Sequence, residues 1–170
     1  MRPNLEIGDF VLVNRNAYGL EIPFTGREKL LSKGPEIGEI VVFFPPHKPT
    51  VPFVKRVIAK GGDTVTYVNK KYFVNGVVLS QEEFDQNTDS NLLIESNEGK
   101  DYVIRHMSRR GQNGNWVIPE GMYFVSGDNR DNSSDSRAWG YISEDVIWGR
   151  ADFIWMSWKP DEWPSFDRAG

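Results

Sequence analysis

Short runs of valine, isoleucine and aromatic residues, each ended by glycine, proline or asparagine, recur along this chain. Such runs are typical of β-strands, because branched and aromatic side chains pack well on a pleated, half-buried surface. The runs are DFVLVNR, EIVVFFP, FVKRVIA, DTVTYVN, KYFVNGVVLS, DYVIRHM, NWVIP, GMYFVSG and VIWGRADFIWMSW. They predict a mainly β protein with an antiparallel sheet and little helix beyond candidate turns at SQEEFDQN and SEDVI.

The distribution of polar residues predicts how the chain is divided. A polar composition from residue 69 to 114 indicates a variable insertion or small polar lobe outside the core. Asn75-Gly76, between two apolar runs, predicts a two-residue hairpin turn. The predicted parts are a core of residues 1–68 and 115–159, the insertion 69–114, and a C-terminal tail 160–170 that leaves the sheet at Lys159-Pro160.

Composition excludes several classes of function. The net charge of -4 and the lack of a Lys and Arg cluster argue against a nucleic-acid partner. The chain has no cysteine, which excludes disulfides, thiolate metal sites and a cysteine nucleophile. His47 and His106 occur in unrelated contexts and give little material for a histidine triad or a metal site, so no cofactor is predicted. No run approaches the roughly 18 apolar residues of a membrane span.

A lysine lies in the middle of the strand pattern VPFVKRVIA. Alternation along a strand would place either Lys55 or Arg56 inward, so one of the two must point toward the apolar face or bend out of it. Burial disfavours an ammonium and can lower a lysine pKa from about 10.4 to about 5–6, which produces a general base. The alternative is an edge-strand lysine that reaches water along its aliphatic stem.

The segment SGDNRDNSSDSRAWG, residues 126–140, carries more charge than a turn requires. Ser133, Asp135 and Arg137 are spaced two residues apart, so on an extended segment their side chains would share one face. This spacing suits a functional constellation. It also suits a solvated surface ion pair worth under about 1 kcal/mol.

GDNRDNSSDSRAWG resembles the most diagnostic motif of type I signal peptidases, the membrane-bound serine proteases that remove signal peptides from exported proteins. Three further segments fit the family in order. MRPNLEIGDFVLVNRNAYG resembles the Ser-Met-x-Pro-Thr-Leu-x-x-Gly-Asp box, GEIVVFFPP the next strand, and FVKRVIAKGGDTV the Lys-Arg-x-x-x-x-x-Gly-Asp box. The resemblance covers residues 1–67 and 117–158 and leaves the polar middle uncovered.

The resemblance implies a Ser-Lys dyad, in which a neutral lysine takes the proton of an attacking serine. Lys55 matches the general base, and Ser133 matches the serine that orients it. The residues matched to supporting roles are Asp135 and Arg137 as an ion pair, with Asp128, Asn129 and Arg56.

The resemblance also implies substrates and a location. The family cuts after small residues at the positions one and three before the scissile bond. Met1, Leu5, Phe53 and Val54 are matched to the pocket for the nearer residue, and Val11, Val42 and Val54 to the other. The implied partners are signal peptides and a membrane surface. The implied protein is a monomer with its catalytic domain on the extracytoplasmic face of the cell membrane, and these 170 residues are expected to be soluble.

Two departures from the family pattern change the expectations. Asn4 stands where the family has a threonine. The family's nucleophilic serine immediately precedes the methionine matched by Met1, and a second serine lies two positions further upstream. The 170 residues are therefore expected to lack the nucleophile, an oxyanion donor and the membrane anchor, and to fold without cleaving peptides.

Two other functions stay open at this point. A self-cleaving repressor of the SOS response shares the Ser-Lys chemistry, and a non-catalytic β module could bind signal peptides or membranes. Trp155, Trp158 and Trp163 with Lys159 suggest contact with a membrane surface. The alternative for these tryptophans is the protein core.

Overall fold

The computed structural model describes residues 1–21, 29–30, 33–85, 91–107, 113–159 and 162–170. These residues form a mainly β, antiparallel structure, as the strand runs predict. The strands are β1 (Asp9–Asn14), β2 (Leu20–Glu21), β3 (Lys29–Leu30), β4 (Ile40–Phe43), β5 (Phe53–Lys60), β6 (Thr64–Val68), β7 (Lys71–Val74), β8 (Val77–Val78), β9 (Ser80–Glu83), β10 (Leu92–Asn97), β11 (Lys100–Arg105), β12 (Gly114–Val117), β13 (Met122–Ser126), β14 (Ile142–Ser143) and β15 (Ile147–Ser157).

The largest sheet has six strands in the order β1-β15-β4-β5-β13-β14. β15 is long enough to pair with β1 along much of its length and with β4 near its beginning. β5 lies between β4 and β13. This order places the strand that carries Lys55 directly beside the strand that leads into the charged segment 126–140.

Two smaller sheets complete the described structure apart from the short β2-β3 pair, with orders β12-β6-β7-β8 and β11-β10-β9. The hairpin predicted at Asn75-Gly76 joins β7 to β8. Both turn residues have positive φ, 52° and 80°, and this is the conformation that the Asn-Gly pair favours. The hairpin prediction is confirmed.

The core consists of two clusters, and β5 contributes to both. Val57 belongs to a first cluster with Val41, Phe43 and Val125, whereas Ile58 belongs to a second cluster. Both faces of β5 are therefore covered. Arg56 is buried and Lys55 is half-buried.

The short elements were predicted with mixed success. SEDVI forms a 3₁₀ turn at Glu144–Val146, as predicted. SQEEFDQN does not form a helical turn where the structure describes it, because Ser80–Glu83 is strand β9. β9 pairs with β10, whose Leu-Leu-Ile run lies inside the polar segment, and long-range pairing of this kind overrides local preference.

The polar segment 69–114 packs against the core. Its Tyr72 and Leu79 belong to the second cluster, and the Asn97 side chain donates a hydrogen bond of 3.0 Å to the Ile58 carbonyl. The predicted domain boundaries stay a prediction.

The C-terminal tail runs back along the sheet. β15 ends at Ser157, which forms a bridge with Ser165 in the tail. Gly170 also donates a backbone hydrogen bond of 3.1 Å to Ile154. Pro160, where the chain is predicted to leave the sheet, lies outside the described residues.

Candidate active site

Lys55 lies in the middle of β5, opposite Val41 of β4. Its side chain is half-buried, and its Nζ lies 5.6 Å from the centre of the Phe53 ring. A Cβ atom placed on Gly127 would lie 3.7 Å from Lys55 Nζ and 2.2 Å from Ser133 Oγ. The amine and the hydroxyl therefore both lie beside Gly127.

The surroundings of Lys55 lower the pKa of its ammonium. Burial is the largest cause, because desolvation disfavours the charged form. The carboxylates of Asp135 and Asp128 act in the opposite direction, and the charge of Arg137 adds to the lowering. Within the described part of the chain, no carboxylate forms a hydrogen bond or ion pair with Lys55. Lys55 is therefore an enclosed cation that loses its proton more easily than an ordinary lysine.

The backbone nitrogen of Met1 lies in the same region. Burial, followed by the charge of Lys55, lowers the pKa of the Met1 amino group. The Met1 carbonyl accepts a hydrogen bond of 3.1 Å from the Leu5 N–H, so the first residues form a turn. This turn holds the Met1 nitrogen within electrostatic range of Lys55.

The charged segment that follows β13 is helical in two short stretches and extended at Ser133 and Asp135 between them. It contains a 3₁₀ turn at Arg130–Asn132 and a short helix, α1, at Ser136–Trp139. Asp135 caps α1, since its carboxylate accepts a hydrogen bond of 3.2 Å from the Arg137 N–H. Ser133 and Asp135 have extended backbone, whereas Arg137 lies in α1, so the prediction of one extended segment is wrong for Arg137.

Asp135 and Arg137 nevertheless form a close, two-point ion pair. Arg137 Nη2 lies 2.7 Å and Nε 2.8 Å from the two carboxylate oxygens. Both side chains are buried, so the interpretation as a solvated surface pair is wrong. Asp135 also accepts hydrogen bonds from Gly127 N at 3.0 Å and Ser126 Oγ at 3.2 Å. Burial raises the pKa of Asp135, but the bonds and charge of Arg137 outweigh it, and the net pKa is lowered.

A second buried pair lies on the other side of the charged segment. Arg56 Nε and Nη2 each lie 2.9 Å from a carboxylate oxygen of Asp128, and Nη1 lies 2.7 Å from the Gly38 carbonyl oxygen. Asn4 donates a hydrogen bond of 2.6 Å to Asp128 and another of 2.7 Å to the Val103 carbonyl. The asparagine that departs from the family pattern is thus bonded directly to a predicted supporting residue.

Two predicted loop residues hold buried polar atoms. Among the described residues, Ser133 Oγ and Asn129 Oδ1 have no hydrogen-bond partner of normal geometry. The Ser133 hydroxyl still contributes to the lowered pKa of Asp135. Its role in orienting Lys55 stays a prediction.

The predicted substrate-contacting residues lie on different faces of the large sheet. Val42 and Val54 are direct cross-strand partners, and Phe53 packs against the first core cluster. Adjacent strand residues point to opposite faces, so Phe53 shares a face with Lys55, whereas Val42 and Val54 share the other.

The remaining predicted contacts come from the start of the chain. Val11 lies in β1, which is separated from β4 by β15. Met1 and Leu5 lie in the turn before β1, and both are half-buried. The assignment of all these residues to two substrate pockets stays a prediction.

Sequence reasoning missed Gly127. Any side chain at this position would overlap the Ser133 side chain, whose Oγ and Cβ lie 2.2 and 2.7 Å from the Cβ position. The glycine therefore allows Ser133 and Lys55 to approach each other. Its only sequence signal is its place between a buried strand and the charged motif.

Comparison with known proteins identifies the family. The chain matches the family model "Signal peptidase, peptidase S26" over residues 1–158. It is 34% identical to a signal peptidase I of Pseudomonas fluorescens and 36% identical to one of Pseudomonas aeruginosa strain PAO1. Each match covers 100% of this chain and 67% of the relative. A solved signal peptidase I from Enterococcus faecalis V583 is 31% identical over 69% of this chain and 97% of that chain, with a TM-score of 0.47.

The fold and the sequence matches define a mainly β peptidase. The chain belongs to the signal peptidase family, peptidase S26. The family match runs through the polar middle, which the motifs alone leave uncovered. In the described ranges, no helix is both long and apolar enough to cross a bilayer.

Proposed function

We propose that this protein is a type I signal peptidase that uses Lys55 as the general base of a Ser-Lys dyad. It removes signal peptides from exported proteins by cutting after small residues. The observation that carries the proposal is the enclosed Lys55 amine, which has a lowered pKa and lies beside the Ser133 hydroxyl. A neutral amine in this setting can accept the proton of a serine nucleophile.

The nucleophile is a serine joined to Met1, because the family box places serine immediately before the matched methionine. The Met1 nitrogen lies near Lys55, so a residue attached to it is held beside the base. Its hydroxyl loses a proton to Lys55 Nζ while its oxygen attacks the peptide carbonyl. The mature protein then leaves as an amine that takes this proton. The signal peptide stays attached to the serine oxygen as an ester. Water gives a proton to Lys55 and attacks this ester, the serine oxygen takes the proton back, and the signal peptide is released.

This assignment is tested by extending the chain. Residues 1–170 are compared with the same chain preceded by serine and by alanine, on a fluorogenic signal-peptide substrate in detergent. We expect the serine form to cleave after small residues, and the other two forms to be slower by several orders of magnitude. Cleavage by the alanine or unextended form at a rate close to the serine form would place the nucleophile elsewhere. Peptide binding without cleavage by all three forms would indicate a non-catalytic binding module.

We further propose that the β1-β15 edge contacts a membrane surface. Trp155, Trp158 and Trp163 are 47%, 54% and 91% exposed, so the interpretation of these tryptophans as core residues is wrong. Phe10 packs edge-on against Trp155 with ring centres 6.2 Å apart. Other exposed apolar residues of this edge and the segments beside it are Ile7, Leu12, Phe153 and Phe166. Exposed tryptophan beside other apolar side chains is typical of surfaces at headgroup depth.

Liposomes of anionic and neutral composition test this contact. We expect tryptophan emission to shift to shorter wavelength and the protein to sediment with the vesicles. Replacing Trp158 and Trp163 with alanine is expected to weaken both signals, whereas the half-buried Trp116 serves as the control position. No emission shift and no co-sedimentation would contradict the proposal.

A further inference from the structure

The polar middle, residues 69–114, contacts the motif loop, which is the charged segment 126–140. These contacts fall on four consecutive loop residues, 128–131. Arg105 N donates a hydrogen bond of 2.8 Å to the Asp128 carbonyl, and Arg105 also forms a backbone bridge with Asn129. Glu95 forms an ion pair with Arg130. The Asp131 carboxylate accepts hydrogen bonds of 2.8 Å from Lys70 Nζ and 2.6 Å from Met107 N. Segments close to β10 and β11 thus hold the loop along the stretch that precedes Ser133.

Glu95 and Arg130 form the most enclosed of these contacts. Both side chains are fully buried, and Arg130 Nη1 and Nη2 lie 3.0 and 2.5 Å from the two oxygens of Glu95. Tyr102 and Gln81 each donate a further hydrogen bond of 2.9 Å to the same carboxylate. The ring of Tyr72 lies 4.8 Å from the guanidinium. Removing one member of such a pair leaves an uncompensated buried charge.

A continuous set of contacts leads from this pair to Lys55. The Arg130 carbonyl accepts a hydrogen bond of 2.5 Å from Arg137, which holds Asp135. Asp135 in turn accepts a bond from the N–H of Gly127, against which Lys55 Nζ and Ser133 Oγ lie. Each step joins buried groups, so the contacts form an unbroken path from Arg130 to the backbone beside Lys55.

We propose that β9, β10 and β11 position Lys55 by fixing the motif loop, and that Glu95 is the central positioning residue. This gives a function to the segment that the family motifs leave uncovered. The consequence for catalysis rests on the proposed role of Lys55, whereas the positioning itself can be measured without activity. The competing role for Glu95 is stabilisation of the fold alone.

The test is a titration of Lys55 by NMR in chain 1–170 labelled on lysine, with the Lys55 signal assigned by its loss in Lys55→Met. Glu95→Gln keeps the shape of the side chain but leaves Arg130 without a counter-charge. The charged groups near Lys55, which are Asp128, Asp135, Arg137 and the Met1 amine, are unchanged. Because burial is the largest cause of the lowered pKa, a loosened loop should raise the Lys55 pKa toward its ordinary value.

The same substitution in the serine-extended chain should lower kcat by about 10- to 100-fold with little change in KM, a scale borrowed from supporting residues at metal sites. Glu98→Gln, an exposed position next to β10, is the matched control and should change neither quantity. Tyr102→Phe removes only one bond to Glu95, so it should give a smaller shift in the same direction even if Glu95→Gln does not fold.

The proposal is overturned if Glu95→Gln and Tyr102→Phe lower the Tm but leave the Lys55 pKa unchanged. In that case Glu95 would only stabilise the fold. A shifted Lys55 pKa together with an inactive serine-extended chain would instead refute the proposed catalytic role and leave the positioning intact.

Discussion

Lys55 and Arg56 are neighbours in one strand, and the structure gives their two charges opposite surroundings. Arg56 donates two hydrogen bonds to the Asp128 carboxylate and one to the Gly38 carbonyl, and its guanidinium lies 4.1 Å from the centre of the Tyr102 ring. Lys55 has no bonded carboxylate in the described structure, and its pKa is lowered chiefly by burial. A buried cation with a partner keeps its charge, whereas an enclosed cation without one gives up its proton more readily.

The difference follows from the alternation of the strand and from the chemistry of the two side chains. One residue step turns the side chain from the face of Gly127 and Ser133 to the face of Asp128. Arginine does not deprotonate in proteins and forms two-point bonds with carboxylates, while lysine loses its proton when desolvated.

Lys55→Met in the serine-extended chain should give the largest effect. No base replaces the amine, so signal-peptide cleavage should fall by several orders of magnitude while the fold is retained. Activity is measured with the fluorogenic substrate and folding by circular dichroism. Lys60→Met, at the exposed end of the same strand, is the control and should keep activity. Turnover by Lys55→Met above about a percent of the unsubstituted rate would contradict the dyad.

Arg56→Met should act on stability first. It leaves the Asp128 carboxylate buried with Asn4 as its remaining side-chain partner, and breaking such a pair costs about 3–5 kcal/mol. Urea unfolding at neutral pH measures the free energy of unfolding, with Lys60→Met again as the control. Adding Asp128→Asn should recover part of the loss. An unchanged urea midpoint for Arg56→Met would show that the pair is dispensable.

Ser133→Ala should have a smaller effect on catalysis. It removes the hydroxyl beside Lys55 and leaves Arg56 and Asp128 untouched, so we expect about 10- to 100-fold lower activity, by analogy with supporting residues at metal sites. Ser134→Ala, at the exposed adjacent position, is the matched control. Equal kinetics for both variants and the parent chain would remove Ser133 from the site.

The pH dependence of stability should show the smallest effect. Because the pKa of Lys55 is lowered in the folded protein, the unfolded chain binds more protons between this lowered pKa and 10.5. Lys55 therefore makes stability rise with pH across that window. Lys55→Met lacks this dependence, so its stability relative to the parent chain should be highest at low pH and decline toward pH 10.5. A difference that stays constant with pH would contradict the lowered pKa.

The sequence predicted the strands and turns whose own residues favour that structure. The runs around Val11, Val42 and Lys55 became strands, and Asn75-Gly76 became the hairpin turn, because branched residues and positive-φ turns act over a few residues. β9 and β10 were not predicted, since their polar sequence becomes strand only by pairing with each other and with β11.

For the candidate site, the sequence by itself determined the chemistry. A lysine next to an arginine in a strand, and a charged motif with Ser133, Asp135 and Arg137, were predicted from residue types and spacing, whereas the burial of either was left open. Tertiary structure decided the partners. It wound the motif into a capped helix and joined it to the polar middle through Arg130 and Glu95. Such pairings connect residues that are tens of positions apart, and their energy depends on burial, which spacing along the chain does not reveal.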